Sequence, residues 1–145
     1  MSYTTYAQKN IDLEGFNVEV GNSLEFLRIP GDCKSVAFLI KIDVDSTSIK
    51  EIILSDGLEG PIRDLFVERL KHLDATLLLN YAKENKLPSI SFLLPVYYLT
   101  NSKGCLNPMI DWDAITRFSK FKDQNFVGKC IWLKSLSMKY TIDKN

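Results

Sequence analysis

The stretch SVAFLIKIDVDSTSIKEIIL, residues 35–54, decides how this chain folds, because it joins two strand-like runs by a very short connection. The runs 35–44 and 49–54 are rich in Val, Ile and Leu, and a polar turn over 45–48 separates them. Parallel strands need a crossover of about a dozen residues or more, so strands joined this tightly are antiparallel. The sequence therefore predicts an antiparallel hairpin.

Two more strands are predicted upstream of this hairpin. Phe16, Val18 and Val20 alternate with polar residues, and a second apolar run over 24–29 is closed by a Pro-Gly-Asp turn at 30–32. Alternation with a period of two is typical of a strand with one buried face. We therefore expect the first third of the chain to form a meander of four antiparallel strands.

Downstream of residue 54, the period of the apolar residues changes to that of a helix. From Ile62 onward, apolar positions recur every three or four residues, which predicts a helix with one buried face. Pro88 ends this helix, which extends to about Asn85, and a break near Asp74 is left open. Asn107-Pro108 opens a second predicted helix over 109–121.

Four further strands complete the predicted order. Pro95 separates the first two of them and predicts a bulge or an edge position, because proline has no N–H to donate to a neighbouring strand. The four strands are 89–94, 96–100, 129–134 and 136–142. The order ββββ-α-ββ-α-ββ predicts a single α+β domain over 1–145, with helices packed on one face of a mostly antiparallel sheet.

Composition predicts an ordinary soluble protein. Apolar residues make up 46% of the 145 residues and charged residues 25%, and no apolar run approaches the ~20 residues of a membrane-spanning helix. The amino terminus has no signal-peptide pattern. Cys33, Cys105 and Cys130 are odd in number and far apart, which favours reduced thiols. We expect a cytoplasmic protein with no membrane partner.

The net charge of zero hides an uneven distribution. Residues 1–100 hold 10 Lys/Arg against 14 Asp/Glu, whereas residues 101–145 hold 8 against 4. Overall neutrality argues against strong nonspecific nucleic-acid binding, which needs a concentrated basic surface. The uneven distribution either orients a charged partner or lets the basic tail pack against the rest of the fold.

Asp43-Val44-Asp45-Ser46-Thr47 is one candidate for chemistry. A hydrophobic strand followed by D-x-D-x-T resembles the first motif of the haloacid-dehalogenase-like phosphatases. The resemblance covers about ten residues, and Ser46 stands where that family usually has Gly. It implies a nucleophilic Asp43, a general acid/base Asp45 and a buried central strand of a parallel sheet.

Strand geometry offers a different interpretation of the same residues. Phe38, Ile40, Ile42 and Val44 point to one face of a strand, and Lys41, Asp43 and Asp45 point to the other. The two aspartates then lie on the solvent face of an antiparallel hairpin, where they are candidates for contacting a basic partner surface.

No cofactor or metal site is predicted. A calcium loop that starts at Asp43 would need Gly at its sixth position and Glu at its twelfth, but Ser48 and Leu54 occupy these positions. The chain has a single histidine, His72, which excludes a His-rich metal site. The cysteines lack C-x-x-C spacing, and no glycine-rich phosphate loop or dinucleotide fingerprint occurs.

The last third of the chain is basic and aromatic. Cations interleaved with aromatic residues are used both by single-stranded nucleic-acid grooves and by protein interfaces. We expect Phe118, Phe126 and Trp132 to belong to the core, with lysines at its rim. Trp112 and Arg117 are the exceptions that we expect to be exposed contacts.

These observations predict a non-enzymatic protein-binding domain of the inhibitor, immunity or adaptor type. The predicted partner-binding residues are Asp43, Asp45, Trp112, Arg117 and Lys120. Two alternatives stay open. One is single-stranded nucleic-acid binding through the basic, aromatic last third of the chain, and the other is a metal-dependent phosphohydrolase that uses Asp43 and Asp45.

Overall fold

The computed structural model describes residues 12–24, 36–45, 47–101 and 116–141. Within these ranges there are three helices and seven strands, five of which form one mixed sheet, and this confirms the α+β class. The helices are α1 (Asp12–Leu24), α2 (Pro61–Leu70) and α3 (Thr76–Glu84). The strands are β1 (Val36–Asp45), β2 (Ile49–Leu54), β3 (Ser89–Asn101), β4 (Lys120–Phe121), β5 (Gln124–Asn125), β6 (Cys130–Trp132) and β7 (Leu136–Thr141).

The predicted hairpin is present. Strands β1 and β2 pair antiparallel, with Ile40 opposite Leu54 and Ile42 opposite Ile52. A bulge interrupts the register beside Asp43, just before the turn. The short polar connection between two β-branched, apolar runs is sufficient to specify this pairing.

Strand β3 is the long central strand of the sheet. It pairs antiparallel with β1 from Ser89 to Tyr98, and its other edge pairs in parallel first with β6 and then with β7. The strand order is β2-β1-β3-β6, with β7 also beside β3. The sheet is therefore mostly antiparallel, and its parallel edge is a feature that the sequence did not predict.

Pro95 lies inside β3, so the prediction of two strands with an edge or bulged position between them is wrong. Pro95 is opposite Leu39 of β1, and the N–H and C=O of Leu39 bond to Ser55 on the far side, at 2.8 Å each. The nitrogen of Pro95 therefore faces away from β1. It faces the break between β6 and β7, where no N–H is needed for strand pairing.

The helices cover one face of the sheet. The core-facing residues of β1, such as Phe38 and Ile40, are buried in one cluster with residues of all three helices. The Phe66 ring of α2 lies 5.6 Å from the Phe38 ring and 5.8 Å from the Tyr98 ring. Apolar burial on this scale is the main stabilising contribution to a small domain.

Residues 16–20 form part of helix α1, so the strand predicted there is wrong. Leu13, Phe16, Val20 and Leu24 recur every three or four residues and are all buried, whereas Val18 is 61% exposed. Burial of this stripe in the core cluster outweighs the weak helix propensity of the segment. Leu24 ends the helix, and the remainder of the strand predicted over 24–29 lies outside the described residues.

The helix predicted from Ile62 to Asn85 is divided into α2 and α3, and the break falls near Asp74. The Asp74 carboxylate accepts hydrogen bonds from the Thr76 N–H at 3.0 Å and the Thr76 hydroxyl at 2.5 Å. These bonds support the first turn of α3. Most of the helix predicted over 109–121 lies outside the described residues. Residues 116–117 are helical, but the predicted end is wrong because 120–121 form β4.

In the part of the chain that the structure describes, no helix is long and apolar enough to cross a membrane.

Candidate functional site

The face of the sheet opposite the helices carries most of the predicted chemistry. We call it the helix-free face because α1, α2 and α3 all pack on the opposite side, and the strand registers define two rows across it. One row contains Asp43, Ser91 and Cys130, and the other contains Lys41, Leu93 and Trp132. Residues paired across neighbouring strands point to the same face, so each row places its side chains side by side.

Asp43 lies on the helix-free face, as the strand alternation predicts, but it is only 25% exposed. The Ser91 hydroxyl donates a hydrogen bond of 2.5 Å to the Asp43 Oδ1, and the Lys41 Nζ lies 3.5 Å from the Oδ2. Each carboxylate oxygen thus has a partner within the fold. Asp43 links β1 to β3 rather than lying in open solvent.

Asp45 caps the turn that follows β1. Its carboxylate accepts hydrogen bonds from the N–H of Thr47 at 2.8 Å and of Ser48 at 2.7 Å. These hydrogen bonds lower the pKa of Asp45 to about 2, because they favour the ionised form. Asp45 therefore has a local structural role, and its hydrogen-bond donors differ from the partners of Asp43.

The surroundings of β1 differ from those that the phosphatase resemblance implies. That resemblance requires a central strand of a parallel sheet, whereas β1 is antiparallel to both of its neighbours. Among the described residues, no three or more His, Cys, Asp or Glu side chains cluster as a metal ion would require.

Residues 116–126, which we call the strap, lie on the helix-free face. The Lys41 Nζ lies 5.2 Å from the centre of the Phe121 ring and 5.8 Å from that of Phe126. The Phe118 ring stacks on Tyr97 of β3, with ring centres 6.1 Å apart. Cation–π and stacking contacts of this kind hold the strap against the sheet.

Asp56, in the connection between β2 and α2, holds the turn of the strap. Its carboxylate accepts the N–H of Lys122 at 3.0 Å and of Asp123 at 2.7 Å, and its own N–H donates to the Lys120 carbonyl at 2.7 Å. Lys120 therefore contacts Asp56 through its backbone. The sequence pattern around Asp56 gave no indication that its carboxylate binds the strap.

An open cleft of about 540 Å³ lies between the strap and the start of α2. Three acidic and three basic side chains line it: Asp56, Glu59, Asp123, Arg63, Arg117 and Lys122. Arg117 forms an ion pair with Glu59. Arg63 donates hydrogen bonds to the carbonyls of Leu54, Ser55 and Leu58, at 2.8, 2.6 and 2.8 Å. Most of these charged side chains interact with one another or with the backbone, so they mainly hold the strap and the start of α2 together.

Trp132 is 50% exposed, so its predicted place in the core is wrong. Ile131 takes the core-facing position of β6, and strand alternation then directs Trp132 to the helix-free face. The buried residues Ile131 and Leu133 are two apart, a spacing that could have identified this orientation from the sequence. The remaining two aromatic residues assigned to the core, Phe118 and Phe126, are half-buried in the strap.

Cys130 lies beside Trp132, half-buried on the helix-free face. Burial raises the pKa of the Cys130 thiol, which therefore stays protonated and weakly nucleophilic at neutral pH.

The described partner-binding candidates fall in two parts of the fold, β1 and the strap. Asp43 and Asp45 lie along β1, Arg117 lines the cleft and Lys120 begins β4. Trp112 lies outside the described residues. No protein-family model, curated protein or solved structure matches the chain.

Proposed function

We propose that this protein is a non-enzymatic protein-binding domain of the inhibitor, immunity or adaptor type, with a contact surface centred on Trp132. The observation that carries the proposal is the 50% exposure of the Trp132 side chain on a strand of the main sheet. Tryptophan supplies a large apolar area with little conformational freedom to lose, and it is enriched among the residues that dominate binding energies.

The residues around Trp132 along the chain suit an acidic partner. Val127 is 91% exposed, and Lys129 and Lys134 are exposed on either side of β6. Residues 116–141 hold six Lys/Arg against one Asp, a net charge of +5. An exposed tryptophan flanked in the sequence by exposed lysines favours an acidic protein surface, both for affinity and for the rate of encounter.

The positions of the two aspartates support a role outside catalysis. Asp43 is engaged with Lys41 and Ser91, and Asp45 is engaged with its own turn. Both carboxylates have structural partners that a catalytic role would have to displace. Metal-dependent hydrolysis of a generic phosphate ester, lost in the variant Asp43→Asn, would contradict the proposal.

Affinity capture with a Trp132 variant tests the proposal. Immobilised wild-type protein should retain an acidic protein in about equimolar amounts from a native cell extract. Trp132→Ala should weaken binding by about thirtyfold, the effect of a hot-spot residue worth about 2 kcal/mol. Val18→Ala is the matched control, because Val18 is 61% exposed on α1, in the helix layer. Absence of an equimolar partner, or equal binding by Trp132→Ala, would contradict the proposal.

Single-stranded nucleic acid is the second candidate partner, favoured by the +5 charge of residues 116–141. The strap aromatics support this candidate less, since Phe121 and Phe126 contact Lys41 and Phe118 stacks on Tyr97. Fluorescence anisotropy with a labelled single-stranded oligonucleotide separates the two candidates. Binding that weakens by orders of magnitude between about 50 and 200 mM salt and is lost in Trp132→Ala would favour nucleic acid.

A further inference from the structure

The strap is attached to the fold in an unusual way. Among the described strands, β4 and β5 pair with each other and with no strand of the main sheet. The attachments of the strap to the described residues include side-chain contacts and the backbone bond from Asp56 to Lys120. Segments with few backbone bonds to the core open at a lower free energy than the core itself.

The turn of the strap is also under backbone strain. Lys122 and Asp123 have φ values of 49° and 63°, a left-handed conformation that L side chains disfavour. Two consecutive residues of this kind form the tight hairpin turn in which Asn-Gly or Asp-Gly is preferred. Neither residue is Gly, so this turn needs support from outside the strap.

Asp56 supplies that support from a rigid position. Its carboxylate binds the two N–H groups of the strained turn, and charge-assisted bonds of this kind are stronger than neutral ones. The next residue, Gly57, is packed so closely that an added Cβ would lie 2.2 Å from the carbonyl oxygen of Ala37. Asp56 is thus fixed to the sheet.

We propose that the strap opens and closes over the helix-free face as one unit, with Asp56 as its latch, while the sheet and helices stay folded. Opening removes the Phe121 and Phe126 rings from Lys41, and Phe118 from Tyr97. Lys41 lies in the same cross-strand row as Trp132, so opening enlarges the exposed surface beside Trp132. This inference does not depend on the identity of any partner.

Amide hydrogen exchange and side-chain NMR of Asp56→Ala test the proposal. Exchange of the backbone amides of residues 120–125 should accelerate about tenfold or more, the loss expected for at least one charge-assisted hydrogen bond. The chemical shifts of the Lys41 ε-methylene group should move toward those of a lysine with no aromatic ring nearby, because opening removes the Phe121 and Phe126 rings together. The Leu133 amide, which bonds to the Leu93 carbonyl in the sheet, should exchange as in wild type.

Two other variants make the result decisive. Glu84→Ala removes one exposed acidic charge at the end of α3 and should leave the strap unchanged. The double variant Lys122→Asn, Asp123→Gly places preferred residues in the strained turn and should slow exchange of the strap amides several-fold. Three results would each overturn the proposal. The first is faster exchange in Asp56→Ala with unchanged Lys41 signals, and the second is an equal acceleration of the Leu133 amide. The third is the absence of slower exchange in the double variant.

Discussion

Asp43 and Asp45 show how position within a strand decides the role of a side chain. Both point to the face away from the helices, as alternation predicts. Asp43 lies within the ladder, where Ser91 and Lys41 are within reach, whereas Asp45 lies where the strand ends and turn N–H groups need an acceptor. The motif that resembles a catalytic pair therefore contains one cross-strand link and one turn cap.

The cap predicts a pH-dependent contribution to stability. The pKa of Asp45 is about 2 in the folded protein, below the value of about 3.9 usual for an unfolded chain. Because folding lowers this pKa, the stabilisation is fully present above about pH 4 and is lost as the pH falls toward 2. Asp45→Asn should therefore lower the Tm at neutral pH, and thermal scans should show the difference from wild type shrinking over that interval.

Glu51→Gln serves as the control, because Glu51 is an exposed acid on the neighbouring strand β2. It should leave the pH dependence close to that of wild type. A Tm difference for Asp45→Asn that persists unchanged at pH 2 would show that the carboxylate charge has no part in the cap.

Helix α1 shows how tertiary packing overrides local preference. Its sequence, DLEGFNVEVGNSL, contains two Gly, two Val and two Asn, all weak helix formers. The buried stripe of Leu13, Phe16, Val20 and Leu24 has the period of a helix. The strand-like alternation of apolar residues over 16–20 competes with this helical pattern in the sequence. Asn17 adds a tertiary contact, since its side-chain NH₂ donates to the Lys134 carbonyl at 2.8 Å, in the break between β6 and β7.

The glycines of α1 give a matched pair of substitutions. An added Cβ at Gly21 would lie 3.9 Å from the Leu136 Cδ1, an ordinary contact, whereas one at Gly15 would lie 3.1 Å from the Leu77 Cδ1. Gly21→Ala should raise the free energy of unfolding by about 0.5–1 kcal/mol, because alanine restricts the unfolded chain and favours the helix. Gly15→Ala should gain less, since Leu77 has to move.

Urea denaturation of the two variants and the wild type measures these differences. An equal gain for both glycine positions would contradict the packing of α1 on α3. A loss of stability in Gly21→Ala would contradict the helical assignment of residues 12–24.

Across the whole molecule, the uneven charge of the sequence acquires a structural meaning. Residues 36–70 hold seven Asp/Glu against four Lys/Arg, and residues 116–141 hold one Asp against six Lys/Arg. These two segments meet where Glu59 pairs with Arg117 and where Asp56 binds the strap turn. Part of the charge separation therefore serves docking within the chain, and two further cations, Lys129 and Lys134, flank β6 in the sequence.

A double-mutant cycle on Arg117 and Glu59 tests this docking. The Glu59 side chain is 60% exposed, so solvent screening limits the coupling energy to about 0.5 kcal/mol. Arg117→Glu and Glu59→Arg should each destabilise the protein, and the swapped double variant should recover part of the loss. Chemical denaturation at low and high salt measures the cycle, and a coupling energy of zero at low salt would contradict the pairing.

The sequence pattern was sufficient to predict the elements that depend on residues close together in the sequence. The tight turn at 45–48 specified the hairpin of β1 and β2, and alternation over 136–138 identified the core-facing Leu136 and Met138 of β7. Each of these depends on residues within a few positions of one another, where sequence spacing and three-dimensional spacing coincide.

Long-range contacts settled the rest. The helical state of α1, the parallel pairing of β6 and β7 with β3, and the position of Trp132 depend on partners far away along the chain. The N–H groups of Lys122 and Asp123 donate hydrogen bonds to Asp56, which lies 66 and 67 positions earlier in the sequence. Periodicity states which face of a segment is apolar, but the neighbours of that face follow from how all the apolar faces can be buried together.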